Sequence, residues 1–120
     1  MPHARYGRCV MIVAGEASGD LHGARLVRAM RQRDDRLFFC GIGGKSMASE
    51  GVRILFDAHR LSVVGITEVM SRLPDIFRGI SIARSALKTL RPDLLILIDF
   101  PDFNLHLAAH ARKLGVPVLY

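Results

Sequence analysis

Two short segments hold residue types able to do chemistry. The first, AGEASGD at 14–20, sets the carboxylates of Glu16 and Asp20 and the hydroxyl of Ser18 among residues small enough to let a ligand reach the backbone. A pyrophosphate cradle favours glycines and bare N–H groups, so two acids in such a turn point to a hydroxyl-rich or cationic partner, and a sugar fits. The plain alternative is that Ser18 or Asp20 caps the following helix. The second segment, DFPDFN at 99–104, packs Asp99, Asp102, a proline and Asn104 behind a strongly apolar run. A partly desolvated carboxylate there can act as general base toward a sugar hydroxyl. Its plain alternative is Asp102 as a helix cap and Asp99 as a turn acid.

Other motifs fail on spacing. GIGGKS at 41–46 resembles a phosphate loop, but that loop needs a glycine five positions before Gly44, where Phe39 stands. Gly15 and Gly19 have the wrong separation for a dinucleotide fingerprint, and the second strand ends in glycines where a ribose-binding acid belongs. His106 and His110 lie four apart on a predicted helix, as zinc ligands can. Leu107 takes the place of the expected glutamate, so they read as surface or packing histidines.

The elements that must position these residues alternate regularly. CVMIV at 9–13 is a continuous apolar run typical of a strand covered on both faces. A turn at 15–19 leads to a helix over 20–33 with Leu21, Ala24, Leu26, Val27 and Met30 roughly on one side. A second strand at 37–40 is broken by GIGG, and a short helix at 45–50 is capped by Gly51. A third strand follows at 52–56. Residues 61–90 have helical character, with an expected interruption at Pro74 and Asp75 restarting the helix. LLILI at 94–98 reads as a central strand, 99–104 as a turn, 105–114 as a helix, and 116–120 as a further strand. This order gives an α/β fold with a Rossmann-like parallel sheet, whose ligands gather at the carboxyl ends of the strands.

Composition limits the function classes. The 120 residues, 50% of them hydrophobic, suit one domain. A formal charge of +6 calls for an anionic partner. The basic residues are scattered, with one cluster at Arg25, Arg28, Arg31 and Arg33, so nucleic-acid binding rests on charge alone and is not expected. Cys9 and Cys40 sit in apolar runs and suit a reducing compartment. No segment approaches the length of a membrane span or a signal peptide.

AGEASGD, GIGGKSM at 41–47, LSVVGITEVMSRLP at 61–74 and IDFPDFN at 98–104 together resemble, in order, the N-terminal region of bacterial lipid-A-disaccharide synthases. The resemblance implies a GT-B glycosyltransferase without cofactor or metal, its acceptor side being residues 1–120, incomplete at the C-terminus, and its donor-binding residues lying beyond. It implies the condensation of UDP-2,3-diacylglucosamine with 2,3-diacylglucosamine 1-phosphate (lipid X), with inversion and release of UDP. Asp99 is then the base, with Glu16 sharing in acid-base work. Ser18, Gly19, Asp20, Asp102 and Asn104 are then substrate contacts. Val64, Ile66, Val69, Met70, Leu73 and Phe77 would form a membrane-facing patch among arginines. The implied setting is the cytoplasmic, anionic face of a Gram-negative inner membrane. A non-catalytic glycolipid- or membrane-binding module is the alternative from another class, and a UDP-sugar epimerase the nearest enzymatic rival. Oligomeric state is left open.

Overall fold

A computed structural model describes residues 7–61 and 66–120, apart from the side chains of 66–72. The elements are β1 (Cys9–Ala14), α1 (Ala17–Arg33), β2 (Phe38–Gly43), α2 (Lys45–Ser49), β3 (Arg53–Asp57), a 3-10 turn (Ala58–Arg60), α3 (Ile66–Leu90), β4 (Leu94–Ile98), α4 (Pro101–Lys113) and β5 (Val118–Leu119). The five strands are parallel, in the order β3-β2-β1-β4-β5. The chain therefore changes winding direction between β1 and β4, where such sheets open a crevice for ligands.

β1 explains the layering. Every residue of it is buried, and successive side chains enter opposite cores. Cys9, Met11 and Val13 join Leu95, Leu97, Ala83, Leu87, Phe103 and Leu107 under α3 and α4. Val10, Ile12 and Ala14 join Ala24, Val27, Phe39, Met47 and Ile96 under α1 and α2. A continuous apolar run is the sequence form of a strand covered on both faces. The entrances of β1 and β4 are tied reciprocally: the Cys9 N–H donates to Asp93 Oδ2 at 2.7 Å and the Asp93 N–H to the Cys9 carbonyl at 2.8 Å.

The sequence-based boundaries shift at four places, each for a local reason. α1 begins at Ala17, inside the expected turn. β2 does not break at GIGG but runs to Gly43, with an irregularity in its pairing to β3 between Gly41 and Ile42. Gly41, at φ 151°, passes so close to β1 that a Cβ there would lie 1.8 Å from the Ile12 carbonyl oxygen, so the glycine permits the strand rather than ending it. α3 continues through Pro74 as one helix. Asp75 restarts nothing and instead accepts from Arg60 Nη2 at 2.8 Å. α4 begins at Pro101, where a missing N–H costs nothing, so four of the six residues of DFPDFN are helix rather than turn.

Candidate functional site

The register Ala14↔Ile98 makes the β1 and β4 exits neighbours, so both chemistry-bearing segments leave the sheet side by side. After β4 the chain turns sharply: Asp99 (φ 52°) and Phe100 (φ 53°) are consecutive non-glycine residues in the left-handed region. Such a conformation costs roughly 1–2 kcal/mol per residue, and strain of this kind concentrates at functional sites. Two contacts accompany it. Asn104, fully buried in the first turns of α4, donates from Nδ2 to the Ile98 carbonyl at 3.3 Å and, by a short bond, to the Asp99 carbonyl. The Phe100 ring lies against Gly15, where a Cβ would come within 2.6 Å of its Cδ2, and stacks at 5.3 Å on Phe103. Asp99 itself is exposed.

The β1 exit is built differently. Glu16 is the N-cap residue of α1 but makes no side-chain cap bond, and its carboxylate and the Ser18 hydroxyl lie on exposed residues. Gly19, expected to touch substrate, is buried, with room for a Cβ only 3.2 Å from that of Ala14, so it serves helix-to-strand packing. Asp20 caps no part of its own helix. It is 7% exposed, and its Oδ1 accepts from the Gly44 and Met47 N–H groups at 2.8 and 2.9 Å, its Oδ2 from the Ser46 N–H at 3.0 Å. These three amides are the unpaired donors at the start of α2, so the carboxylate closes that helix end from a neighbouring element. Asn104, another expected substrate contact, is likewise occupied with the protein's own backbone.

A cleft of about 410 Å³ opens at this edge, lined by Glu16, Ala17, Asp20, Gly44, Lys45, Asp57, Ala58 and His59. Its mixture of acids, a lysine and a histidine suits a polar, hydroxyl-bearing ligand. Sequence reasoning missed Lys45, Asp57 and His59. The signal was their position at or just beyond the ends of β2 and β3, at the carboxyl edge of the sheet. Asp99 does not line this cleft. Asp102, in the first turn of α4, faces a second cavity of about 350 Å³ shared with Ile76, Ile80, Phe100, Pro101, Phe103 and His106.

Of the expected membrane-facing residues, Phe77 is 64% exposed and Leu73 half-buried. Val64 lies outside the described residues, and Ile66, Val69 and Met70 lie on the stretch of α3 whose side chains are not described. The arginine cluster is partly engaged within the fold. Arg28 pairs with Glu50 at 3.8 Å, and Arg31 donates to the Glu50 carbonyl while stacking 5.1 Å from the Phe39 ring centre. Among the described residues no group of three or more His, Cys, Asp or Glu side chains could hold a metal ion, and no helix is long and apolar enough to cross a membrane. His110 is held below its usual pKa, first by burial and then by Arg84, Lys113, His106 and Lys88. The Cys40 thiol is pushed well above the usual range by its hydrogen bond with Cys9 and by burial.

Sheet order and helix placement are shared with GT-B glycosyltransferases. MurG from Acinetobacter baumannii superposes with a TM-score of 0.58 at 18% identity over 92% of this chain and 33% of its own. A UGT transferase from Siraitia grosvenorii, solved in complex with UDP, gives 0.59 at 16% over 92% and 26%. The fold is thus the one these glycosyltransferases carry over 26–33% of their length. The lipid-A-disaccharide synthetase family matches over residues 10–120, and the chain belongs to it. Lipid-A-disaccharide synthases of Myxococcus xanthus and Geobacter sulfurreducens are 50% and 53% identical over 92% of this chain, and that of Syntrophus aciditrophicus 51% over 94%. The chain spans about 30% of the length of these relatives.

Proposed function

We propose that this chain is the acceptor-side portion of a lipid-A-disaccharide synthase, and that Asp99 is its general base. The observation that carries the reading is an exposed carboxylate in a strained, doubly left-handed turn at the winding switch of the sheet, within a segment matched by the family. The reaction joins UDP-2,3-diacylglucosamine to lipid X. Asp99 takes the proton of the acceptor 6-hydroxyl as its oxygen bonds to the anomeric carbon of the donor. The anomeric bond to UDP breaks on the opposite side, UDP carries away the electron pair, and the new β(1→6) linkage has inverted configuration. Glu16 and Ser18, at the adjoining strand exit, orient sugar hydroxyls from one side, and Asp102 contributes from the neighbouring cavity. Donor binding falls to the part of the protein beyond this chain.

The same reading sets the protein on the cytoplasmic face of a Gram-negative inner membrane. There Phe77 and the preceding turns of α3 meet the acyl region, and the net charge of +6 favours anionic headgroups. The test is Asp99→Asn in the full-length synthase, following disaccharide formation and UDP release. Turnover should fall by roughly 10²–10⁴-fold, the range of general-base catalysis, with thermal stability and glycolipid binding retained. Turnover equal to the parent enzyme would remove Asp99 from the reaction.

A further inference from the structure

The turn bearing Asp99 is more tightly specified than a surface acid requires. Two successive left-handed residues are usually glycines, yet here they are Asp99 and Phe100, so neighbouring groups must hold them. Asn104 is 0% exposed and spends both available Nδ2 donations on the carbonyls on either side of Asp99, those of Ile98 and Asp99 itself. Its Oδ1 is buried without a hydrogen-bond partner from the protein, which costs roughly 1–3 kcal/mol. On the opposite side the Phe100 ring fills the space left by the missing Cβ of Gly15.

We propose that Asn104 is a positioning residue: through the Ile98 and Asp99 carbonyls it fixes the direction in which the Asp99 carboxylate leaves the sheet, with the Phe100 ring on Gly15 as the opposing stop. The inference rests on the assignment of Asp99 as the base. A side chain of similar size that cannot donate lets the strained turn relax toward ordinary backbone angles, moving the carboxylate while leaving the helix and the core in place. Gly15 is not at a positive φ, so Gly15→Ala disturbs the same turn from the other side without backbone strain of its own.

The experiment compares Asn104→Leu, Gly15→Ala, Asp99→Asn and the double variant Asp99→Asn with Asn104→Leu, all in the full-length synthase. Their kcat and acceptor KM are measured alongside thermal unfolding. Displacing a reacting group by about 1 Å costs on the order of 10²-fold, so Asn104→Leu should lose about that much kcat with acceptor KM unchanged. Gly15→Ala should fall in the same direction. The double variant should be no slower than Asp99→Asn alone, because a residue that acts only through Asp99 has nothing left to position.

Losses that add in the double variant would show that Asn104 acts elsewhere and would overturn the proposal, as would full kcat in a folded Asn104→Leu. Should Asn104→Leu fail to fold, Gly15→Ala decides: full kcat there refutes the positioned turn, and a loss confined to kcat supports it. An inactive Asp99→Asn beside an unaffected Asn104→Leu refutes the positioning alone. An active Asp99→Asn removes the base and the positioning together.

Discussion

Asp20→Asn isolates one carboxylate whose whole environment is known. The amide keeps one acceptor oxygen, which can still take the Gly44 and Met47 N–H groups, but it presents an NH₂ to the Ser46 N–H in place of Oδ2. One hydrogen bond to a charged group is lost, worth roughly 1.5–3 kcal/mol. The two that remain drop from charge-assisted to neutral, a loss of about 0.5–1 kcal/mol each. The start of α2 should therefore loosen by about 2.5–5 kcal/mol, and because 1.4 kcal/mol is tenfold, amide exchange at Ser46 and Met47 should rise by roughly two to three and a half decades. Hydrogen exchange read by mass spectrometry or NMR on the full-length protein provides the assay, with Met11 and Ile12 in β1 as internal controls. A change at Ser46 and Met47 of less than about tenfold, against that expectation, would refute the clamp. If acceptor KM rose instead while those amides stayed protected, Asp20 would be a sugar contact, as the AGEASGD segment first suggests.

Gly41→Ala should give no folded protein, because its Cβ would lie 1.8 Å from the Ile12 carbonyl oxygen; recovery of a soluble variant with parental circular dichroism would contradict this packing. Phe77→Glu should weaken binding to anionic phospholipid vesicles by about 10–100-fold, in keeping with roughly 1.5–3 kcal/mol for burying a phenylalanine. Since Phe77 is 64% exposed, its melting temperature should hardly move, and unchanged vesicle binding would remove it from any membrane contact. Cys40 should resist thiol reagents in the native protein, because reaction needs the thiolate and this thiol is held far from ionising; rapid native labelling would disprove that burial. With its folded pKa below the unfolded value of 6.5, His110 favours folding above about that pH, and its contribution declines as acid protonates the unfolded chain more readily. His110→Gln should therefore flatten the acid limb of a melting-temperature profile below pH 7 slightly, the side chain being largely solvated, and an identical profile would show that the shift has no weight.

Where a residue's environment is set by its immediate neighbours in the chain, the sequence was readable. CVMIV and LLILI are apolar without alternation, and both are strands buried on two faces. The alternation of strands and helices was enough for a parallel sheet. What was hidden depends on partners far along the chain. Gly41 looks like a strand breaker until β1 is seen beside it. Asp20 looks like a cap for its own helix until Gly44, Ser46 and Met47 are seen to surround it. Pro101 and Asn104 read as turn residues because nothing local shows that Phe100 takes up the left-handed angle from which α4 starts. Asp99 and Glu16 were legible as candidates, but their adjacency follows from a pairing that no local pattern encodes.

That pairing also sets a timetable for synthesis. Cys9 is bonded to Asp93, 84 residues further on, and all of α3 lies between them. A chain leaving the ribosome can pair β1 with β2 and β2 with β3 early, but the other edge of β1 waits for β4. At about 5–20 residues per second the wait is roughly several seconds, during which Val10, Ile12 and the rest of that edge have no strand beside them. The Asp99 turn and its contact with Gly15 can form only at the end of this interval, so a nascent chain has the cleft beside Glu16 before it has the Asp99 turn. Variants that slow the closing of β4 onto β1 should consequently show up first as poor yield in the cell, where holding chaperones and proteases compete for the open edge, and only afterwards as altered catalysis.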